Sequence, residues 1–271
     1  MKVDNRYIGV FDSGLGGLTT VKELKKVLPN ENIVYFGDTG RVPYGTRSEE
    51  TIVKYVIDDI NFLMSYDIKM IIIACGTAST VALPIVKNMY EIPMVGVVEA
   101  SVNKAVSTTK SKKIGVIGTS GSINSGKYLQ KIKEADRDIN VYSNACPLFV
   151  PIVENGYADT EVAKMVAQDY LNPLIEKNID TLILGCTHYP ILKNTIKSIM
   201  GDGVELVDSG AETAKYVSEF LTDNDMLATA RQDKQYMYFV SDNASNFSKI
   251  AGVFLGESID GLVEKIDIEN Y

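Results

Sequence analysis

The sequence contains one order of segments twice: an apolar strand, a small polar turn, a second strand, a loop with proline, and a third strand that ends at a cysteine. The first copy begins at residues 8–14 and the second at residues 114–120, and the copies reach Cys75 and Cys186 respectively. Several matches in the same order at nearly constant spacing favour a duplicated architecture over two unrelated βαβ units. The sequence therefore predicts two similar halves.

Short β-branched runs alternate with longer segments of helical periodicity, which is typical of an α/β protein with mainly parallel sheets. The predicted strands are 7–11, 32–37, 69–74, 93–98, 113–118, 139–143, 180–185, 204–207 and 235–240. The predicted helices are 17–28, 48–65, 78–90, 99–109, 122–135, 159–177, 190–200, 210–222 and 245–252.

Cys75 and Cys186 each end an apolar strand, where open parallel sheets bind their ligands. If a pseudo-twofold axis relates the two halves, the two thiols face each other across a shared cleft. A thiol at a helix start is expected to have a lowered pKa and to serve as a base or nucleophile. Two opposed thiols suit stereochemical inversion, in which one removes a proton from a carbon and the other returns one to the opposite face. Cys146 has no counterpart in the repeat and is assigned the commoner role of a small buried residue.

Two polar turns are candidates for holding an anionic amino acid. The turn that begins with Asp12 and Ser13 follows the first strand and precedes a helix, so its hydroxyl and backbone N–H groups could bind a carboxylate. Tyr44 and Gly45 lie in a long loop of the kind that carries function. The structural alternatives are a helix N-cap for Ser13 and a turn for Tyr44 and Gly45.

Three more candidates follow the two cysteines. Thr77 and Thr187 stand at predicted helix starts, where each could contact substrate or cap a helix. His188 is the only histidine and lies two residues after Cys186. A single histidine is more often structural, but beside a cysteine that ends a strand we favour a role in protonating or orienting a reacting group.

Other chemistries are weaker. Residues 121–128 match the phosphate-binding pattern G-x-x-x-x-G-K but end in Tyr128, where a magnesium-binding Ser or Thr is needed, so a nucleotide hydrolase is disfavoured. A zinc site from the three cysteines and His188 lacks any local chelating pair. A hydrolase with Cys186 as nucleophile and His188 as base stays open. Such an enzyme has no need of Cys75, which discriminates it from a racemase.

Composition excludes further classes. The 271 residues allow one large domain or two smaller ones, and 45% hydrophobic with 23% charged residues is ordinary for a folded protein. The net charge of −8 argues against a duplex-binding surface, which needs a basic stripe. No apolar run approaches a membrane span, and the N-terminal apolar stretch is too short and polar for a signal peptide. These features and the absence of a disulfide framework predict a cytoplasmic protein with reduced thiols.

Five segments together resemble the cofactor-independent aspartate/glutamate racemase superfamily, and within it the glutamate racemases. They are IGVFDSGLGGLTTVKEL at 8–24, YFGDTGRVPYGTRS at 35–48, IIIACGTAS at 71–79, CPLFVPIVENG at 146–156 and LILGCTHYPIL at 182–192. The resemblance implies two α/β domains related by a pseudo-twofold axis, with the active site in the cleft between them. It places residues 1–98 with 209–271 in the first domain and residues 99–208 in the second.

The resemblance also implies roles for particular residues. Cys75 and Cys186 would be the two acid/base thiols, with Asp12 supporting Cys75, and with Glu154 and His188 supporting Cys186. Substrate contacts would fall on Asp12, Ser13, Tyr44, Gly45, Gly76, Thr77, Thr187 and His188. Gly76 departs from the family, which usually has Asn here. Glycine leaves only a backbone N–H at this position and is expected to enlarge the cleft.

The activity implied is interconversion of L- and D-glutamate, which supplies D-glutamate for bacterial peptidoglycan. The resemblance implies neither pyridoxal phosphate nor a metal. The expected partner is a small amino acid, glutamate, and neither nucleic acid nor membrane; a homodimer stays open. The alternatives are a racemase of a related amino acid such as aspartate, the cysteine hydrolase, or a non-catalytic amino-acid-binding protein.

Overall fold

The computed structural model describes residues 3–229 and 235–271, which form two sheets whose paired strands all run parallel. The strands are β1 Tyr7–Asp12, β2 Asn32–Gly37, β3 Ile68–Ile73, β4 Met94–Gly96, β5 Lys113–Gly118, β6 Asn140–Ala145, β7 Thr181–Gly185, β8 Glu205–Asp208, β9 Tyr236–Val240 and β10 Val263–Lys265. The helices are α1 Leu18–Val27, α2 Glu49–Met64, α3 Gly76–Val81, α4 Leu83–Val86, α5 Val97–Thr108, α6 Ser120–Asn124, α7 Lys127–Ala135, α8 Phe149–Glu154, α9 Glu161–Ile175, α10 Lys193–Met200, α11 Ser209–Asp223 and α12 Ala244–Leu255. Within the described residues, no helix is long and apolar enough to cross a membrane.

The two sheets share one strand order. The first sheet runs β10-β9-β2-β1-β3-β4 and the second runs β6-β5-β7-β8. The order β2-β1-β3-β4 therefore recurs as β6-β5-β7-β8, and the predicted α/β class with two similar parallel sheets is confirmed. The last two strands of the chain extend the first sheet alone. The domain boundaries at residues 98 and 208 stay a prediction.

Central strands are apolar on both faces because helices cover both. Ile71, Ile72 and Ile73 of β3 are fully buried. Ile72 packs into one apolar cluster, whereas Ile71 and Ile73 pack into another, as alternation along a strand requires. The carboxyl ends of β3 and β7 lead directly to Cys75 and Cys186, so the topology brings both thiols to ligand-binding edges.

Three helical segments differ from the sequence predictions. The helix predicted at 78–90 is instead α3 and α4, which a break at Ala82 separates just before Pro84, because proline lacks an N–H and disturbs the preceding turn. The helix predicted at 122–135 is α6 and α7, since Gly126 adopts a left-handed conformation with φ of 66°. Helix α8 was not predicted, nor was the short strand β10.

Candidate active site

One cavity between the two sheets is lined by every residue that the sequence assigned to the site. These residues are Asp12, Ser13, Tyr44, Gly45, Cys75, Gly76, Thr77, Glu154, Cys186, Thr187 and His188. They come from five separate segments, each following a strand except Glu154, which ends α8. The fold thus gathers residues that are more than 170 positions apart into one small volume.

Cys75 lies at the first-sheet wall of this cavity, two residues after β3 and immediately before α3. Its Sγ lies 3.5 Å from the Ser13 Oγ. Burial, and next the negative charge of Asp12, raise the pKa of Cys75 to about 12, against the N–H groups of Ala78 and Ser13. The expected lowering of the thiol pKa is therefore wrong for Cys75, because α3 is only six residues long and desolvation outweighs its N-terminus.

Asp12 ends β1 and is buried beside this thiol wall. Its Oδ2 accepts a hydrogen bond from the Gly14 N–H at 3.0 Å. Burial raises the pKa of Asp12, while the charge on His188 and the N–H groups of Gly17 and Gly14 oppose that rise. The glycine-rich turn therefore holds the carboxyl group in place. The carboxyl group also interacts electrostatically with His188 on the other wall.

Cys186 lies at the second-sheet wall, directly after β7. No α-helix begins at Cys186, contrary to expectation, because a turn and a short 3-10 helix at Tyr189–Leu192 come before α10. The Cys186 Sγ lies 3.9 Å from the His188 Nδ1, and the His188 Nε2 lies 2.8 Å from the Glu154 Oε1. The three side chains form a row from solvent-accessible carboxylate to buried thiol.

His188 carries the positive charge of this wall. Burial by itself would lower the pKa of His188, but hydrogen bonds to Cys186 and Glu154 more than offset it and raise the pKa to about 10. The imidazole is therefore protonated at neutral pH, and it places a positive charge beside the Cys186 sulphur. The ring is also fixed from the other side by Phe254 of α12, in an edge-to-face contact at 5.2 Å.

Tyr44 lines the cavity but directs its hydroxyl away from it. The hydroxyl lies within hydrogen-bonding distance of a carboxyl oxygen of Asp38 and, at 2.9 Å, of one of Asp59, and the side chain is 1% exposed. Arg41 holds the same two carboxylates, at 2.7 Å and 2.9 Å. Substrate can therefore reach the backbone of the Tyr44–Gly45 loop, whereas the phenol holds that loop in position.

A group of hydroxyls lines the cavity, and two of them were not assigned to the site from the sequence. Thr119 lies 3.1 Å from Thr77 between the Oγ1 atoms, and the Ser122 Oγ lies 3.5 Å from the same Thr77 atom. The repeat carried a signal for Thr119, which follows Ile114 by five residues as Ser13 follows Ile8. Ser122 stands in the segment that resembles a nucleotide-binding turn and had no such signal.

The helix-capping alternatives are settled by the same geometry. Gly17 and Cys75 occupy the N-cap positions of α1 and α3, so neither Ser13 nor Thr77 caps a helix. Thr187 lies in a turn before the 3-10 helix, and its carbonyl oxygen accepts a hydrogen bond from the Thr19 hydroxyl at 2.9 Å. These three residues therefore line the cavity without a side-chain role in capping a helix.

Gly76 does not enlarge the cleft as expected. A Cβ built on Gly76 would lie 2.7 Å from the carbonyl oxygen of Gly185 and 3.4 Å from the Ser122 Oγ. The space that an asparagine side chain would need is already occupied by the backbone of the second sheet.

The structure also shows where Cys146 lies and what becomes of the predicted alternatives of a metal site and a nucleotide-binding turn. Cys146 is fully buried outside the cavity lining, in agreement with its assignment as a small core residue. In the described ranges, no three His, Cys, Asp or Glu side chains are grouped so that they could hold a metal ion. Tyr128 is buried, so its hydroxyl is not accessible to a ligand at the last position of the nucleotide-like turn.

Comparisons with known proteins agree with this geometry. The family model for Asp/Glu/Hydantoin racemase matches residues 17–217. A curated glutamate racemase of Geobacter metallireducens is 46% identical over 264 residues, which is 97% of each chain. A glutamate racemase structure from Bacillus anthracis superposes with a TM-score of 0.93 at 39% identity, covering 97% of this chain and 98% of that one. A Francisella tularensis glutamate racemase in complex with D-glutamate gives a TM-score of 0.92 at 40% identity, covering 99% and 100%.

Proposed function

The chain belongs to the Asp/Glu/hydantoin racemase family, and we propose that it interconverts L-glutamate and D-glutamate with its own two thiols and no cofactor. The observation that carries this proposal is the presence of Cys75 and Cys186 at equivalent strand ends of two repeated sheets, lining one cavity. The substrate assignment rests on the relatives, which are named glutamate racemases at near-complete coverage.

In the proposed reaction, Cys186 acts on L-glutamate and Cys75 on D-glutamate. For L-glutamate, the Cys186 thiolate takes the Cα proton, and the electron pair of the broken bond spreads into the α-carboxylate. The Cys75 thiol then donates its proton to the opposite face of Cα, which gives D-glutamate. The reverse reaction exchanges the two roles, and proton exchange with solvent resets the thiols between turnovers.

The protonation states of Cys75 and His188 support the first direction. Cys75 is held as a thiol, since its pKa is about 12, and His188 is a cation beside Cys186, since its pKa is about 10. The site therefore has a protonated thiol on the first wall and a cation beside the thiol of the second wall. Asp12 on the first wall and Glu154 on the second are proposed to support these states.

The substrate carboxylates would be held by neutral donors. None of the residues described as lining the cavity is Lys or Arg, whereas five of them besides Tyr44 carry hydroxyls: Ser13, Thr77, Thr119, Ser122 and Thr187. Fixed hydroxyl and backbone N–H donors in a site shielded from water stabilise the charge that develops on the α-carboxylate during proton removal. The loop held by Tyr44 would supply N–H groups of this kind.

The defining experiment incubates the purified protein with L-glutamate and, separately, L-aspartate without added cofactor, and follows optical rotation. We expect loss of rotation with glutamate, abolition by thiol alkylation, protection from alkylation by glutamate, and no effect of a metal chelator. Faster loss with aspartate would identify the aspartate alternative. Ammonia release from an added amide substrate such as L-glutamine, without racemisation of glutamate, would identify the hydrolase, and solvent deuterium at Cα excludes a binding protein.

Three further features are part of the proposal. The protein would act in the cytoplasm, supported by its three free cysteines, and would supply D-glutamate for peptidoglycan. We also propose a homodimer, supported by exposed apolar side chains on α9, where Val162 is 50% and Met165 66% exposed. Light scattering measures the oligomeric state. The cellular role is tested by depleting the protein in a bacterium and measuring whether added D-glutamate restores growth.

A further inference from the structure

The two residues beside the thiols touch each other across the cleft. Gly76 follows Cys75 in the chain and Gly185 precedes Cys186. A Cβ placed on Gly76 would lie 2.7 Å from the Gly185 carbonyl oxygen, a separation that real Cβ atoms do not adopt. The contact therefore depends on glycine at position 76, and it lies one residue from each reacting sulphur.

The second-sheet side of this contact cannot retreat. Gly185 is the last residue of β7 and is paired with Gly118 of β5. A Cβ on Gly185 would lie 2.7 Å from the Ile117 carbonyl oxygen and 3.1 Å from the Tyr128 hydroxyl. The strand end is thus enclosed by a neighbouring strand and a buried phenol, and it has no room to move back.

The first-sheet side is equally fixed. Gly76 is the first residue of α3, and β3, from which this segment comes, is buried along its whole length. The Ala74 N–H donates to the Phe11 carbonyl oxygen at 2.9 Å, and the Ser79 N–H donates to the Cys75 carbonyl oxygen at 2.8 Å. A side chain at position 76 must therefore push the two walls apart rather than bend either of them.

We propose that Gly76 is a positioning residue that sets the spacing between the two thiols, through the approach of its backbone to the Gly185 carbonyl. This inference rests on the proposed two-thiol racemisation. Both sulphurs must reach the same Cα from opposite faces, so a wider cleft removes one of them from reach. A reaction that needs a single thiol is affected much less.

The test compares racemisation of glutamate with elimination from 3-chloroglutamate. In the elimination one thiolate takes the Cα proton, the electron pair forms the Cα–Cβ double bond, and chloride leaves from Cβ, so no second thiol acts. We expect Gly76→Ala to slow racemisation about a hundredfold and elimination less than about threefold, because a shift of about 1 Å in a reacting group has an effect of the first size. Gly76→Asn should also slow racemisation more than elimination, although it introduces the residue that is usual in the family.

Gly203→Ala is the matched control, since a Cβ at Gly203 meets no atom within 4 Å, and it should leave both rates unchanged. Thermal unfolding of each variant confirms that it is folded. Racemisation by Gly76→Ala within about twofold of wild type overturns the proposal, as does an equal loss of both reactions, which would assign Gly76 to substrate binding. Failure of the proposed function is a separate result, because the wild-type protein would then show no racemisation.

Discussion

The two walls of the cavity are built from the same strand order but differ in charge. On the first wall Cys75 lies near the carboxylate of Asp12, and its pKa is raised to about 12. On the second wall Cys186 lies beside a protonated His188 that Glu154 holds from behind. Duplication of a sheet therefore places two thiols at equivalent strand ends but in different electrostatic surroundings, because these depend on the few groups within reach of each sulphur.

The difference in charge between the two walls cannot be seen in the rates of the overall reaction. The equilibrium constant between two enantiomers is one, so kcat/KM must be the same in both directions for the wild type and for every variant. The two walls can be compared only through reactions that use one thiol, such as elimination from 3-chloro-L-glutamate or from its D-enantiomer.

The largest effect is expected from removing either thiol. Cys75→Ser and Cys186→Ser should each lower racemisation about a thousandfold, because a serine hydroxyl is too weak an acid to exchange a proton here. Cys75→Ser should keep elimination from the L-substrate, and Cys186→Ser should keep elimination from the D-substrate. Chloride release measures both.

The rates of elimination by these two variants should also differ in their dependence on pH. Elimination by Cys186→Ser should be slow at neutral pH and rise about tenfold for each pH unit, because few Cys75 thiols are ionised well below their pKa. Elimination by Cys75→Ser, in which the acting thiol lies beside the His188 imidazolium, is the reaction compared with it. Near-normal racemisation by either variant would contradict the two-base mechanism, whereas exchanged enantiomers would contradict only the assignment of the faces.

An intermediate effect is expected at Glu154. Glu154→Gln keeps the size of the side chain but removes the charge beside His188, and the lost charge should slow elimination from the L-substrate about tenfold, the difference between a charged and a neutral hydrogen bond. Elimination from the D-substrate should stay nearly unchanged. Glu161→Gln, an exposed residue of α9, is the control. Equal losses of elimination rate with both enantiomers would show that Glu154 does not act through the second wall alone.

The last expected effect is on stability rather than on rate, and it depends on pH. The folded pKa of His188, about 10, exceeds its unfolded value, so its contribution is fully present below about pH 6.5 and is lost as pH rises toward 10. The stability difference between wild type and His188→Gln should therefore shrink by about 1 kcal/mol per pH unit in that range. Denaturant unfolding at several pH values measures it. A difference that does not change with pH would mean that His188 is neutral in the folded protein.

Much of the architecture could be predicted because it depends on patterns along the chain. The alternation of apolar runs predicts both sheets, and the repeat predicts that Cys75 and Cys186 stand at equivalent strand ends. Helix α8, which carries Glu154, was not predicted because six residues with a proline give too short a periodic signal. The raised pKa of Cys75 and the tight contact of Gly76 depend on atoms distant in sequence, which no local pattern contains.

The extension of the first sheet by β9 and β10 also bears on how the chain is made. The second sheet uses the contiguous residues from β5 to β8, whereas one edge of β2 is paired with β9, almost 200 residues later. During synthesis we therefore expect the second sheet to be complete while β2 still presents an uncovered edge. An uncovered β-edge is a template for association with other chains. The segment that forms β9 and β10 covers this edge late, so we expect the first sheet to be prone to association until that segment has been synthesised.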